Sequence, residues 1–99
     1  MTSLTSENFL TEIRTPCVVH FWASWSGPCF DQDKVLLQLA IVNPEAKFGR
    51  LNVEENPDIA AEYGVFVFPT VILFKNGTPN RTFVGLTEVK MIHDAIGKL

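Results

Sequence analysis

Five residues, Trp25-Ser26-Gly27-Pro28-Cys29, have the spacing of a dithiol exchange loop with one of its two thiols missing. In dithiol exchange a first thiolate attacks a disulfide, and a second thiol resolves the mixed disulfide that forms. Ser26 stands in the attacking position. A hydroxyl titrates far too high to attack a disulfide without a dedicated base. The loop therefore predicts that two-thiol chemistry is lost, or reduced to monothiol chemistry at Cys29. Three readings of Ser26 stand side by side: natural loss of the nucleophile, a deliberate Cys→Ser replacement, and a helix cap, for which serine is well suited.

The other residues able to do chemistry are few. Cys29 falls in the first turn of a predicted helix, where the helix N-terminus favours a thiolate; the plain alternative is a buried, inert thiol. Cys17 cannot replace the missing partner. It lies near the far end of the preceding strand, about 20 Å away, and a disulfide needs Cα atoms within about 7 Å. It reads as a small core residue. His20 is either a core histidine bonded to backbone or a proton acceptor for Cys29. His93 reads as a surface residue. Two cysteines and two histidines at these separations have no zinc-ligand spacing, and nothing in the chain calls for a metal or another cofactor.

Positioning these residues requires strands and helices in alternation. Ser3 to Thr5 is the only stretch that can supply a short first strand. Ser6 to Ile13 reads as a short helix capped by Ser6, with Phe9, Leu10 and Ile13 on one face. Cys17 to Ala23 is an apolar run broken only by His20, which suits a strand covered on both faces. A helix from Ser26 or Gly27 to about Val42 has Val35, Leu36, Leu39, Ala40 and Val42 as its apolar face, and Asn43-Pro44 stops it. Phe48 to Val53 is the next strand. Asn56-Pro57 caps a helix to Tyr63 that Gly64 ends. Thr70 to Phe74 and Arg81 to Val84 are strands around an Asn76-Gly77 hairpin turn. Thr87 caps a last helix reaching roughly Gly97, with Val89, Ile92 and Ile96 inward. The predicted architecture is one α/β domain over residues 1–99, with a mixed sheet of four to five strands and helices on both faces.

Several blocks resemble the thioredoxin family: Val18 to Cys29, Arg50-Leu51-Asn52-Val53-Glu54-Glu55-Asn56-Pro57, Tyr63-Gly64-Val65, Phe68 to Gly77, and Val84-Gly85-Leu86. They come in the family's order and intervals and cover nearly the whole chain. The resemblance implies the thioredoxin fold and protein thiols or disulfides as partners. It also implies a cis peptide bond at Phe68-Pro69 facing the loop. Trp25, Gly27, Pro28, Phe68, Pro69, Gly85 and Leu86 would line an apolar groove for an extended substrate segment, extended by Phe30. The family usually carries a buried aspartate where His20 stands, a glycine at Val67, and a helix-kinking proline at Lys34, so a straighter long helix is expected. His20-Phe21-Trp22-Ala23 is similar instead to the thioredoxin-like domain of multidomain monothiol glutaredoxins, which implies a second reading: a non-catalytic adaptor domain. Glutathione at Cys29 is the small-molecule partner that a monothiol site would take.

Composition narrows the remaining classes. The net charge of −3, with both signs scattered, gives no nucleic-acid footprint or basic membrane patch. No apolar run approaches the ~20 residues of a membrane helix. The opening residues lack a basic segment followed by an apolar stretch. With two cysteines, this points to a reducing compartment: the cytoplasm, or an organelle after removal of a transit peptide. The expected state is a monomer, with the groove as the route to a weak dimer.

Overall fold

The computed structural model describes residues 1–99. In chain order the elements are β1 (Thr2–Leu4), α1 (Phe9–Glu12), β2 (Cys17–Trp22), α2 (Gly27–Val42), β3 (Lys47–Asn52), α3 (Pro57–Glu62), β4 (Thr70–Lys75), β5 (Thr78–Val84) and α4 (Val89–Ile96). The five strands form one mixed sheet in the order β1-β3-β2-β4-β5. β1 and β2 run parallel to β3, while β4 is antiparallel to both β2 and β5. Central β2 is flanked on both sides and buried on both faces, which is why its sequence is nearly all apolar.

Alternation along β2 sorts its side chains between two cores. Cys17, Val19, Phe21 and Ala23 join Phe9 and Ile13 beneath α1, and Ile59 and Ala60 of α3. Val18 faces the other way, with Leu36 and Leu39 of α2 and Ile92, Ala95 and Ile96 of α4. The first core holds an aromatic cluster in which Phe9, Tyr63 and Phe74 meet with ring centroids 5.2–5.6 Å apart. β1 is short, but Leu4 is buried against β3. A Cβ on Gly49 would come within 2.6 Å of Leu4 Cδ1, so a side chain there would displace the strand's anchor.

The hairpin forms as expected. Asn76 and Gly77 both have positive φ, 53° and 80°, the signature of a type I′ turn that matches strand twist. Its returning strand starts at Thr78, three residues before the expected Arg81. α2 runs unbroken for 16 residues through Lys34.

Other expectations fail for identifiable reasons. α1 starts only at Phe9, and Ser6 does not cap it. Residues 5–8 instead make a turn in which the Thr5 amide donates to Asn8 Oδ1 at 2.8 Å. Leu10 points to solvent, because one turn of helix can bury only Phe9 and Ile13. Asn56 does not cap α3 with its side chain; its Oδ1 accepts from the Ser6 amide and its amide group donates to the Asn52 carbonyl. Thr87 does not cap α4, whose N-cap is Glu88, since the Thr87 hydroxyl donates to the Gly85 carbonyl. Val42 and Val89 are exposed. On α2 the buried stripe is Cys29, Gln32, Leu36 and Leu39, so one of its four positions is a glutamine.

Candidate functional site

The loop between β2 and α2 is held at both ends. The Ser24 amide and hydroxyl both donate to Glu54 Oε1, at 2.6 and 2.8 Å. These bonds, the backbone one first, hold the Glu54 carboxyl below the usual carboxylate range. The Ser26 amide then donates to the Ala23 carbonyl, and the Cys29 amide donates to the Ser26 carbonyl. Ser26 occupies the N-cap position with extended backbone, but its side chain does not cap the helix. Its hydroxyl donates instead to the carbonyl of Phe68, at 3.2 Å. The purely capping reading of Ser26 therefore fails: the side chain ties the loop to its neighbour.

That neighbour is residues 66–69, where the Phe68–Pro69 peptide bond is cis. Trp25 lies 70% exposed and packs edge-on against Phe68, centroids 5.7 Å apart. The Pro69 carbonyl accepts the Gly85 amide at 2.8 Å, and the Val67 carbonyl accepts the Thr70 hydroxyl. No hydrogen bond is donated by the backbone amides of Phe66, Val67 or Phe68, so this stretch keeps free donors along an exposed edge. Gly27, Pro28, Phe30, Phe66, Val67 and Leu86 are exposed around it, Pro69 is buried, and Gly85 half-buried. The three segments carrying the expected groove residues are thus joined: loop 25–29 to Phe68, and Pro69 to Gly85. A cleft of about 570 Å³ adjoins them between β5 and the start of α4, sharing Leu86 but holding no thiol.

Both thiols are free and buried. Cys29 is only 3% exposed. Cys17 lies at the opposite end of β2, where burial first, and then the charge of Glu12, push its thiol up to about 12. It is inert as a nucleophile.

His20 is fully buried on the α2 side of β2. Its Nδ1 is 2.7 Å from Asp33 Oδ1, while Asp33 Oδ2 is 2.7 Å from Arg50 Nη2. Arg50 in turn lies 4.4 Å over the Trp22 ring. An aspartate paired to arginine only accepts, so Nδ1 must donate. The neutral ring then presents a bare lone pair on Nε2, which is buried and has no partner. Burial lowers the His20 pKa, and the Asp33 hydrogen bond opposes that only in part. No hydrogen bond joins His20 to Cys29. Asp33 follows Cys29 by four residues, one turn along the same helix.

Asp33, Arg50, Gln32 and Thr87 were not foreseen as site residues, and Thr87 was expected only as a helix cap. Gln32 left a signal: it falls at the i+3 position from Cys29 on the stripe that continues through Leu36 and Leu39, where an apolar residue is expected. Asp33 and Arg50 left none, because an exposed charge and a half-buried one read alike in sequence. His93 is exposed, as expected; its Nδ1 lies 3.3 Å from Asn43 Nδ2. No group of three or more potential ligands could hold a metal ion, and no helix is long and apolar enough to cross a membrane.

Comparison with known proteins gives the same assignment from sequence and from shape. The family model described as Thioredoxin matches residues 1–98. A thioredoxin of Rickettsia typhi is 35% identical over 99 residues, covering 99% of this chain and 94% of its own. Among solved structures, mitochondrial thioredoxin 3 of Saccharomyces cerevisiae in its oxidised form superposes with a TM-score of 0.91 at 31% identity, over 100% of this chain and 95% of that one. Fasciola hepatica thioredoxin follows at 0.86 and 29%, covering 99% and 98%.

Proposed function

The chain belongs to the thioredoxin family of thiol–disulfide oxidoreductases, and on that premise we propose that it binds extended, thiol- or disulfide-bearing protein segments while lacking dithiol turnover. One observation carries this reading. The attacking position is a serine whose hydroxyl is committed to the Phe68 carbonyl, while the surfaces for a polypeptide remain around it. Free amides at residues 66–68 suit strand-like pairing with an extended segment. Trp25, Gly27, Pro28, Phe68, Pro69, Gly85 and Leu86 supply apolar contact, and an exposed apolar patch rimmed by polar groups marks a protein contact.

The chemistry left is monothiol. The Cys29 thiolate attacks one sulfur of a disulfide, forms a mixed disulfide, and expels the other sulfur as a thiolate; an external thiol such as glutathione must release the product. His20 Nε2 is the candidate to take the Cys29 proton, because it is buried with no partner and Asp33 fixes the tautomer that leaves it bare. The burial of Cys29 favours a second reading, an adaptor domain that binds its partner with no exchange at all. Two unpaired cysteines suit a reducing compartment such as the cytoplasm.

Incubation with oxidised glutathione, followed by intact mass measurement, separates the two readings. Monothiol chemistry requires a single glutathione adduct that disappears in Cys29→Ala and leaves Cys17 unmodified. No adduct under native conditions refutes exchange at Cys29 and leaves the adaptor.

A further inference from the structure

Three links hold the two outer walls of the groove to the helix that carries Cys29. The Ser26 hydroxyl donates to the Phe68 carbonyl. The Gly85 amide donates to the Pro69 carbonyl at 2.8 Å. Gln32, fully buried on α2, closes the circuit across 55 residues: its Nε2 donates to the Thr87 carbonyl at 3.1 Å, and its Oε1 accepts the Thr87 amide at 2.8 Å. Within the last wall the Thr87 hydroxyl donates to the Gly85 carbonyl at 3.0 Å. Followed in order, the bonds run from the start of α2 through Phe68-Pro69 and Gly85 to Thr87, and return to α2 two positions beyond the buried Cys29-containing first turn at Gln32.

A glutamine at this place is costly unless it is used. It stands on the stripe of Cys29, Leu36 and Leu39, where a leucine would bury more apolar area and bring no polar side-chain atom of its own to satisfy. Both ends of its amide are satisfied by the backbone of one residue, so it works as a two-point clamp on a segment with no regular secondary structure. Thr87 could reach neither partner from an adjacent strand, because β5 ends at Val84 and α4 begins at Val89.

We propose that Gln32 is a positioning residue for substrate recognition: from inside α2 it fixes the Gly85–Thr87 wall against the Pro69 loop and so sets the width of the groove. The inference rests on the groove reading above for its consequence, though not for its geometry. Preorganised walls spare a bound segment the cost of ordering them. Loosening the clamp weakens protein substrates without touching the chemistry at the thiol.

Two arms test it. Amide hydrogen exchange on the chain as it stands compares it with Gln32→Met, which keeps side-chain length and loses both hydrogen bonds, and with Thr87→Val, which keeps the clamp and cuts the hydroxyl link. The Gly85 amide, bonded to Pro69 and not to Gln32, is predicted to exchange about ten-fold faster in both variants, while the β2 amides hold their rates. An unchanged Gly85 amide in the folded variants overturns the circuit, and Gln32→Glu, which keeps the acceptor for the Thr87 amide and loses the donor to its carbonyl, carries this arm if Gln32→Met does not fold. The second arm places the same changes in a Ser26→Cys background with insulin as the disulfide substrate. KM is expected to rise roughly five-fold with kcat held. A fall in kcat at constant KM overturns the positioning role. Should the Ser26→Cys parent itself fail to reduce insulin, the exchange-competent reading falls, the adaptor reading stands, and the hydrogen-exchange arm still decides the clamp.

Discussion

The two faces of the sheet are built from different materials. On the α1 and α3 side, Phe9, Phe21, Phe74 and Tyr63 pack against aliphatic residues with no buried charge among them. On the α2 and α4 side the aliphatic cluster gives way, near the loop, to His20-Asp33-Arg50 and Gln32-Thr87. The first face contributes stability through burial. The second accepts buried polar groups, each of which costs free energy unless partnered, and each network takes one residue from α2 within four positions of Cys29. The difference teaches that this side carries buried polar groups, at some expense, even though a serine stands in the attacking position.

Substitutions that exchange the character of the two faces probe this difference. Phe21→Ala should cost the most, about 3–5 kcal/mol, because it opens a cavity in the aromatic cluster; guanidinium denaturation measures it, and a loss below about 1 kcal/mol would break the comparison. Asp33→Ala should cost about 1–3 kcal/mol by leaving the His20 N–H buried without an acceptor. The companion Arg50→Met should cost less than Asp33→Ala, since Arg50 retains partial access to solvent.

A smaller effect is read along the pH axis. Folding lowers the His20 pKa below its ordinary 6.5, so below that value the unfolded chain holds a proton that the folded chain refuses. Stability is then constant above the unfolded value and falls as pH drops through it toward the folded one. The slope for one group stays under about 1.4 kcal/mol per pH unit. Chemical denaturation of the chain and of His20→Asn between neutral and mildly acidic pH isolates the effect, because His93 is common to both. Parallel curves would remove His20 from the account. At the bottom of the scale, Lys90→Ala breaks an exposed pair with Asp94 at 3.6 Å and should change stability by less than about 0.5 kcal/mol.

The apolar cores on both faces were legible because their signals are local. The run Val18 to Ala23, the Asn76-Gly77 turn and the Leu36-Leu39 spacing each sit within a few residues of what they determine. The helix caps misled for the same reason in reverse: Ser6, Asn56 and Thr87 are good capping residues, but Ser6 lies in a turn ahead of α1, and the Asn56 and Thr87 side chains bond to other groups. Ser26 belongs with them, as its hydroxyl reaches 42 residues along the chain to Phe68. The polar networks join residues 13 to 55 positions apart, and no periodicity records such pairings. His20 in an apolar strand and Gln32 on an apolar stripe were the marks they left.

The most direct test of the central claim is a protein-disulfide reduction assay run on this chain beside its Ser26→Cys version. The account predicts that the restored protein turns over while the unaltered chain stays silent, which would leave Ser26 as the sole block in a competent groove. It is contradicted if both are silent although the introduced thiol and Cys29 can be oxidised to a disulfide, or if the unaltered chain turns over by itself.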